Sequence, residues 1–455
     1  MEFLQFCILP MLQSFGLIFR DRFAELGINS SQTTTILNIN CAVTSCIGLA
    51  NGPLFRKYSY RQIAFVGALI CAVSITVLCL TFEFLISGIG TGITMSSNAL
   101  ALNTYFKKKR RIATGLSWTC TGMGPIVMPQ IITLLMPIYG MDGTILIFGG
   151  FAFNAVVCAL LLQPVSWHVK KRQDTEQSPN IENNAQNNYS TSNLSRGKFG
   201  SQYLYYDDED DGASGIDVMG PGTPMMSREC VEKTTKKTFF EAVIIFFDLD
   251  LLRDFVYVNM MLGITFANFT ELNFSLLTPF ILSEYGFSKI EVATVMSILA
   301  GFDVVTRLTI PFIADFIGWQ NRTFFLVGVC GMAAGRIVLA HVQDFGVTLA
   351  VAVLIGAGKA LRTIFMALVI PSHVPLSRLP GATGIQLLTS GIVALTLGPI
   401  VGWIRDVTSN YAIMLHCLNI FTYLTAISWS LEIYFMGRKS TRAEQAKETS
   451  NKLNV

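Results

Sequence analysis

Residues 292–314 read VATVMSILAGFDVVTRLTIPFIA, an apolar run with an acid, Asp303, and a base, Arg307, near its middle. At about 1.5 Å per residue, a helix of this length crosses the hydrocarbon core of a bilayer. Positions four apart project from one helical face, so the sequence predicts a facing acid–base pair. Each ionisable group at that depth costs about 2.5–3.5 kcal/mol on insertion scales, so such groups face a wet interior or one another. The run therefore points to a transmembrane helix with a charged inner face.

Composition extends this reading to the whole chain. Of 455 residues, 51% are hydrophobic and 14% charged, against about 25% charged in soluble domains. Mean hydropathy is +0.50. The chain reads as an all-α polytopic membrane protein. Ten cysteines are scattered, mostly within the apolar runs, with no Cys-x-x-Cys spacing, so neither a disulfide framework nor a metal site is expected. No phosphate-binding Gly-x-x-x-x-Gly-Lys loop occurs. No nucleophile–base set emerges either, and the reading assigns no enzyme activity, no cofactor and no nucleic-acid partner.

The apolar runs place twelve spans, at 1–19, 32–54, 62–82, 84–104, 112–136 and 143–163, then at 256–282, 290–314, 323–342, 346–370, 382–404 and 411–435. The first carries Glu2 and no basic start, and reads as a transmembrane helix lacking its beginning rather than a signal peptide. The domain reading is a six-helix bundle over 1–163, a disordered linker over 164–238 and an interfacial amphipathic helix over 239–254. A second six-helix bundle over 255–435 and a tail over 436–455 complete it. The linker holds NIENNAQNNYSTSNLS and the acidic run DDEDD at 207–211, a disordered composition. Lys and Arg cluster after span 2, after span 4, at the linker's start and in the tail. By the positive-inside rule both termini and the linker are cytoplasmic.

Six spans, a long linker and six more spans form the layout of a major facilitator transporter, in which two halves rock about a central solute site. YFKKKRRIATGLS (105–117), NGPLFRKYSYR (51–61), GFDVVTR (301–307) and VIPSHVPLSRLPGATG (369–384) carry the family likeness. At these residues the chain resembles the monocarboxylate transporter family of the major facilitator superfamily. The resemblance implies alternating-access transport of small organic monocarboxylates across the plasma membrane, with or without a proton. It also implies a single-span immunoglobulin-like chaperone for surface delivery. Gly52, Arg56, Lys57, Arg61, Lys108, Arg110 and Arg111 fall in its topology and conformational motifs, and Asp315 is the matching acid of the second half. In the 51–61 motif, Arg56 replaces the family's usual acid. LQSFGLIF (12–19) puts Gln13 where lactate-type members carry a Lys that takes part in coupling. Gln cannot carry that charge, which favours an alternative cargo, a larger zwitterionic or aromatic acid. A transport-incompetent nutrient sensor is the further alternative.

Six ionisable residues lie well inside the predicted spans: Glu271, Asp303, Arg307, Arg336, Lys359 and Arg362. Four bases against two acids leave an excess of two positive charges, which attracts anions into a low-dielectric cavity. Arg307 is the first candidate for a bidentate grip on a carboxylate, and Arg362 the second. Asp303 would hold Arg307 and exchange a proton, or form a purely structural pair with it. Glu271 would gate against a base of another span, or bond to span 11. Lys359 would face the site or lean toward the cytoplasm. Arg336 would join the site or snorkel to headgroups. The basic run at 107–111 also suits anionic lipid.

Overall fold

The computed structural model describes residues 18–19, 30–77, 85–106, 109–163, 244, 246–408 and 411–453. Gln13, Lys108, the linker 164–238 and residues 239–243 lie outside the described residues. Among the described residues there are ten α-helices and no strand: α1 (Ser30–Lys57), α2 (Tyr60–Val77), α3 (Leu85–Tyr105), α4 (Arg110–Leu160), α5 (Phe255–Glu284), α6 (Lys289–Ile317), α7 (Asn321–His341), α8 (Phe345–Val369), α9 (Leu379–Thr408) and α10 (Tyr411–Leu453). Seven described segments are long and apolar enough to cross a membrane. Those of α1, α3 and α5 fall outside that set; α1 and α3 are rich in Ser, Thr and Asn.

Local chemistry sets the helix ends. Ser288 and Glu291 form a capping box at the start of α6, and Gly318 closes that helix at φ 74°, a left-handed conformation that suits glycine. Asp254 and Asp344 accept backbone N–H bonds that open α5 and α8. α4 holds two of the expected spans, 112–136 and 143–163. Gly140, at φ 67° and ψ −171°, breaks it between them. Of the segment 239–254, expected as an interfacial helix, residues 244 and 246–254 are described. Residues Leu249–Arg253 form a 3-10 helix with Leu251 buried in the core. Asp248, Asp250 and Asp254 meet Arg56, Arg378 and His373.

The first-half helices α2, α3 and α4 pack on one another, and α7 of the second half packs on both α8 and α10. The halves meet through α1 against α9 and α4 against α6. Small residues make the first crossing: Gly48 and Gly52 on α1 face Gly384 and Gly381 on α9. Without side chains the backbones approach closely, the usual basis of tight helix contact in lipid. Gly88 and Gly92 of α3 pack on α1 in the same way. A side chain at Gly384 would run into the Gly48 carbonyl, whereas Gly398 faces open space. Gly384→Val is expected to wedge the halves apart on the side where the linker joins, at about 1–3 kcal/mol of overpacking, and Gly398→Val is not. Maleimide reactivity of Thr383→Cys, near that crossing, checks this.

A candidate solute site between the halves

Five of the six expected charges sit on helical faces turned to one cavity. On α5, Glu271, Ser275 and Thr278 recur at helical spacing; on α6, Asp303 and Arg307 do; on α8, Lys359 and Arg362 do. These three faces, with Trp118, Thr121 and Gly122 of α4, line one cavity of about 450 Å³. Arg307 lies ten residues from the end of α6, or about 15 Å along the axis, which puts the cavity near the middle of a membrane of ordinary thickness.

Asp303 and Arg307 form a bidentate pair. Arg307 Nε donates to Asp303 Oδ1 at 2.6 Å and Nη2 to Oδ2 at 2.7 Å. Nη1 of Arg307 also donates to the Trp118 carbonyl at 3.0 Å, which ties the pair to the first half. A Cβ at Gly122 would lie 2.8 Å from Nη1, so the missing side chain makes room for the guanidinium.

A second pair joins α5 to α8. Lys359 Nζ lies 2.9 Å from Glu271 Oε1. Ser275 Oγ donates to the same oxygen at 2.8 Å and accepts from Lys359 at 3.1 Å. Glu271 is only 3% exposed. Its partner is thus span 10, which corrects the bond to span 11, and the pairing draws Lys359 inward rather than toward the aqueous rim. Arg362 donates through Nη1 to Asn268 and through Nη2 to Thr363 Oγ1 at 3.4 Å. Arg362 Nε and Glu271 Oε2 have no hydrogen-bond partner among the described residues.

Three bases and two acids line the cavity, leaving one positive charge in excess. The sixth expected charge lies elsewhere. Arg336 is 1% exposed, donates to Asn419 Oδ1 at 2.7 Å and Thr422 Oγ1 at 2.9 Å, and sits 5.8 Å from the centre of the Phe274 ring. This corrects the headgroup reading: two polar residues of α10 give its guanidinium partners inside the bundle, so it supports Phe274, a wall of the cavity.

The motif residues sit on the linker side. Arg111 donates to Ala314 O, Trp319 O and Asn321 Oδ1, and reaches Asp315 at 3.5 Å, tying α4 to the second half. Arg110 reaches the Pro371 carbonyl at 3.5 Å. Arg56 pairs with Asp248, Gly52 backs onto Gly381, and Arg61 donates to Leu160 O within its own half. Lys57 lies over the Tyr58 ring.

The sequence reading did not find a buried cluster at the same end of the second half. Arg322 donates two hydrogen bonds to Glu432, Nη1 to Oε1 at 3.0 Å and Nη2 to Oε2 at 2.9 Å, Asn259 donates to Glu432, and Trp429 Nε1 donates to Asn259 O at 2.9 Å. Glu432 lies at the end of the last apolar run, where an acid reads as an ordinary aqueous-facing residue. Trp429 is fully buried and stacks on Phe325. Trp429→Ala should cost about 3–5 kcal/mol of stability, seen as a lowered melting temperature in detergent.

Packed helices that cradle a charged chamber between two halves define a membrane carrier. A profile of the Major Facilitator Superfamily matches residues 2–399, and again 260–445. Monocarboxylate transporter 14 of Mus musculus is 23% identical over 442 residues, covering 90% of this chain and 84% of that one. Monocarboxylate transporter 12 of Mus musculus is 23% identical over 330 residues, 72% of this chain and 60% of that one. In fold, the chain is similar to the E. coli fucose:proton symporter, with a TM-score of 0.60 at 12% identity over 94% and 97% of the two chains. The chain belongs to the Major Facilitator Superfamily and, within it, to the monocarboxylate transporter family.

Proposed function

We propose that the chain carries a small organic monocarboxylate across the plasma membrane by alternating access, with the linker and both termini in the cytoplasm. The convergence of five charged side chains from α5, α6 and α8 in one central cavity carries this reading. The excess positive charge draws an anion inward, and low-dielectric walls strengthen the pull. Arg362 is the first contact for the carboxylate, because its Nε lacks a protein partner. In this conformation the bidentate edge of Arg307 is taken by Asp303. Arg307 therefore acts as the coupling element: it joins the cavity to Trp118 across the halves. A solute carboxylate competes with Asp303 for that guanidinium, and a proton competes with the guanidinium for the Asp303 carboxylate, which weakens the pair. Either event loosens the contact between α4 and α6 and lets the halves rock.

The unpartnered Oε2 of Glu271 favours a second reading, in which the cargo also carries an ammonium group. Equilibrium binding to the purified chain separates the two. A simple carboxylate that binds as well as its α-amino derivative supports the first reading; a clear preference for the amino acid supports the second. Proton coupling is tested by uptake into proteoliposomes with and without an inward acid step. Acid-stimulated uptake that Asp303→Asn abolishes is the expected result.

A further inference from the structure

The closed linker side is held by more than the Arg111 contacts. Asp248 stands where the linker meets the second half. It is 5% exposed and, among the described residues, is the one non-glycine residue with positive φ, at 56°. Its side chain lies over two glycines, one from each half: a Cβ at Gly52 would be 3.4 Å from its Oδ2, and one at Gly381 would collide with that oxygen. Its Oδ1 pairs with Arg56 at the end of α1 and with Arg378 before α9, the latter at 3.3 Å. Arg378 also pairs with Asp250.

The mounting of Asp248 is rigid and one-sided. The 3-10 helix that follows buries Leu251. Asp254, at its end, accepts the Val256 N–H that opens α5 and lies 2.8 Å from His373 Nε2. Asp248 is thus mounted on the second half, and its bond to Arg56 and its seat over Gly52 reach the first.

We infer that Asp248 is the gating residue of the linker side, an acid of the segment just before α5 that bridges Arg56 and Arg378 only while the halves are shut there. Asp248 sets one carboxylate between a base at the end of α1, Arg56, and a base of the other half, Arg378. With its carboxylate in place, the two arginines bridge the halves. Without it the closed state loses the ion pair that joins Arg56 of the first half to the Asp248–Arg378 pair of the second. The glycines at 52 and 381 are the seat that lets the carboxylate reach both. The inference rests on the reading of the chain as a carrier whose halves part, and not on the identity of the solute.

The test uses the full chain in oriented vesicles, with Thr383→Cys as reporter and the same chain without it as background. Thr383 lines a small chamber of about 110 Å³ between α3, α8 and α9, and its labelling is expected to quicken when the linker side parts. A membrane-impermeant maleimide is applied from that side. Asp248→Asn and Arg56→Gln should each raise the labelling rate at least about fivefold, the lower end of typical coupling between sites. Asp248→Glu should restore part of the slow rate. Asp250→Asn, which meets Arg378 of its own half, should stay near the parent rate. If Gly384→Val speeds labelling while Asp248→Asn and Arg56→Gln do not, the gating role is overturned and the carrier reading stands. If none of the three changes labelling, the parting of the halves fails, and the gating role with it.

Discussion

Arg307→Ala should abolish transport and also destabilise the fold. Asp303 and Arg307 are both buried and saturate each other through two short bonds. Removing the guanidinium strands a carboxylate at mid-membrane depth. Breaking one side of a buried pair costs about 3–5 kcal/mol, most of it the penalty of the orphaned charge. The variant also loses the bond to the Trp118 carbonyl, a charged contact from the cavity to the first half. The double variant Asp303→Asn with Arg307→Gln carries no orphaned charge, so it should recover most of the stability and none of the transport. Melting of the purified protein and solute uptake, measured on the same preparations, check both halves of this prediction. A stable Arg307→Ala that still transports would show the pair to be decorative.

Arg362→Gln should weaken solute binding at least about 30-fold, or about 2 kcal/mol, the lower end of what truncating a buried charged contact costs. Glutamine can keep a bond to Asn268 and preserve the packing of α8 against α5. It cannot present a fixed charge to a carboxylate. Lys359 does not compensate, because Glu271 and Ser275 hold its ammonium. Binding of a carboxylate to the purified variant reads the loss directly. Thermal stability should change little, which separates a binding role from a packing one.

The fold was largely legible in the sequence because lipid forces it. Every span must satisfy its own backbone bonds and show apolar residues outward, so hydropathy alone marks most helices. The charged residues of the cavity were legible for the same reason: an ionisable group at that depth has few places to go. Glu271, Asp303, Arg307, Lys359 and Arg362 do converge on one cavity. Their pairings were not legible, because those depend on how helices far apart in sequence rotate against each other. Glu271 meets Lys359 across 88 residues, and nothing at either position names the other. Arg336 was legible as a buried cation but not as the support of Phe274. Asp248 was read only as part of the segment 239–254, an expected interfacial helix. Its value lies in a left-handed backbone and a seat of two glycines, neither of which composition reports. Trp118 enters the site through a backbone carbonyl, which carries no signal in the side-chain sequence.

The most direct test of the account is paired uptake into proteoliposomes holding the purified full-length chain. A panel of labelled organic acids is compared with their uncharged amides, for the parent protein and Arg362→Gln. A fixed cation at the centre of the cavity predicts saturable uptake of at least one acid, none of its amide, and loss of the acid signal in Arg362→Gln. Equal uptake of acid and amide, or acid uptake unchanged in Arg362→Gln, would contradict it.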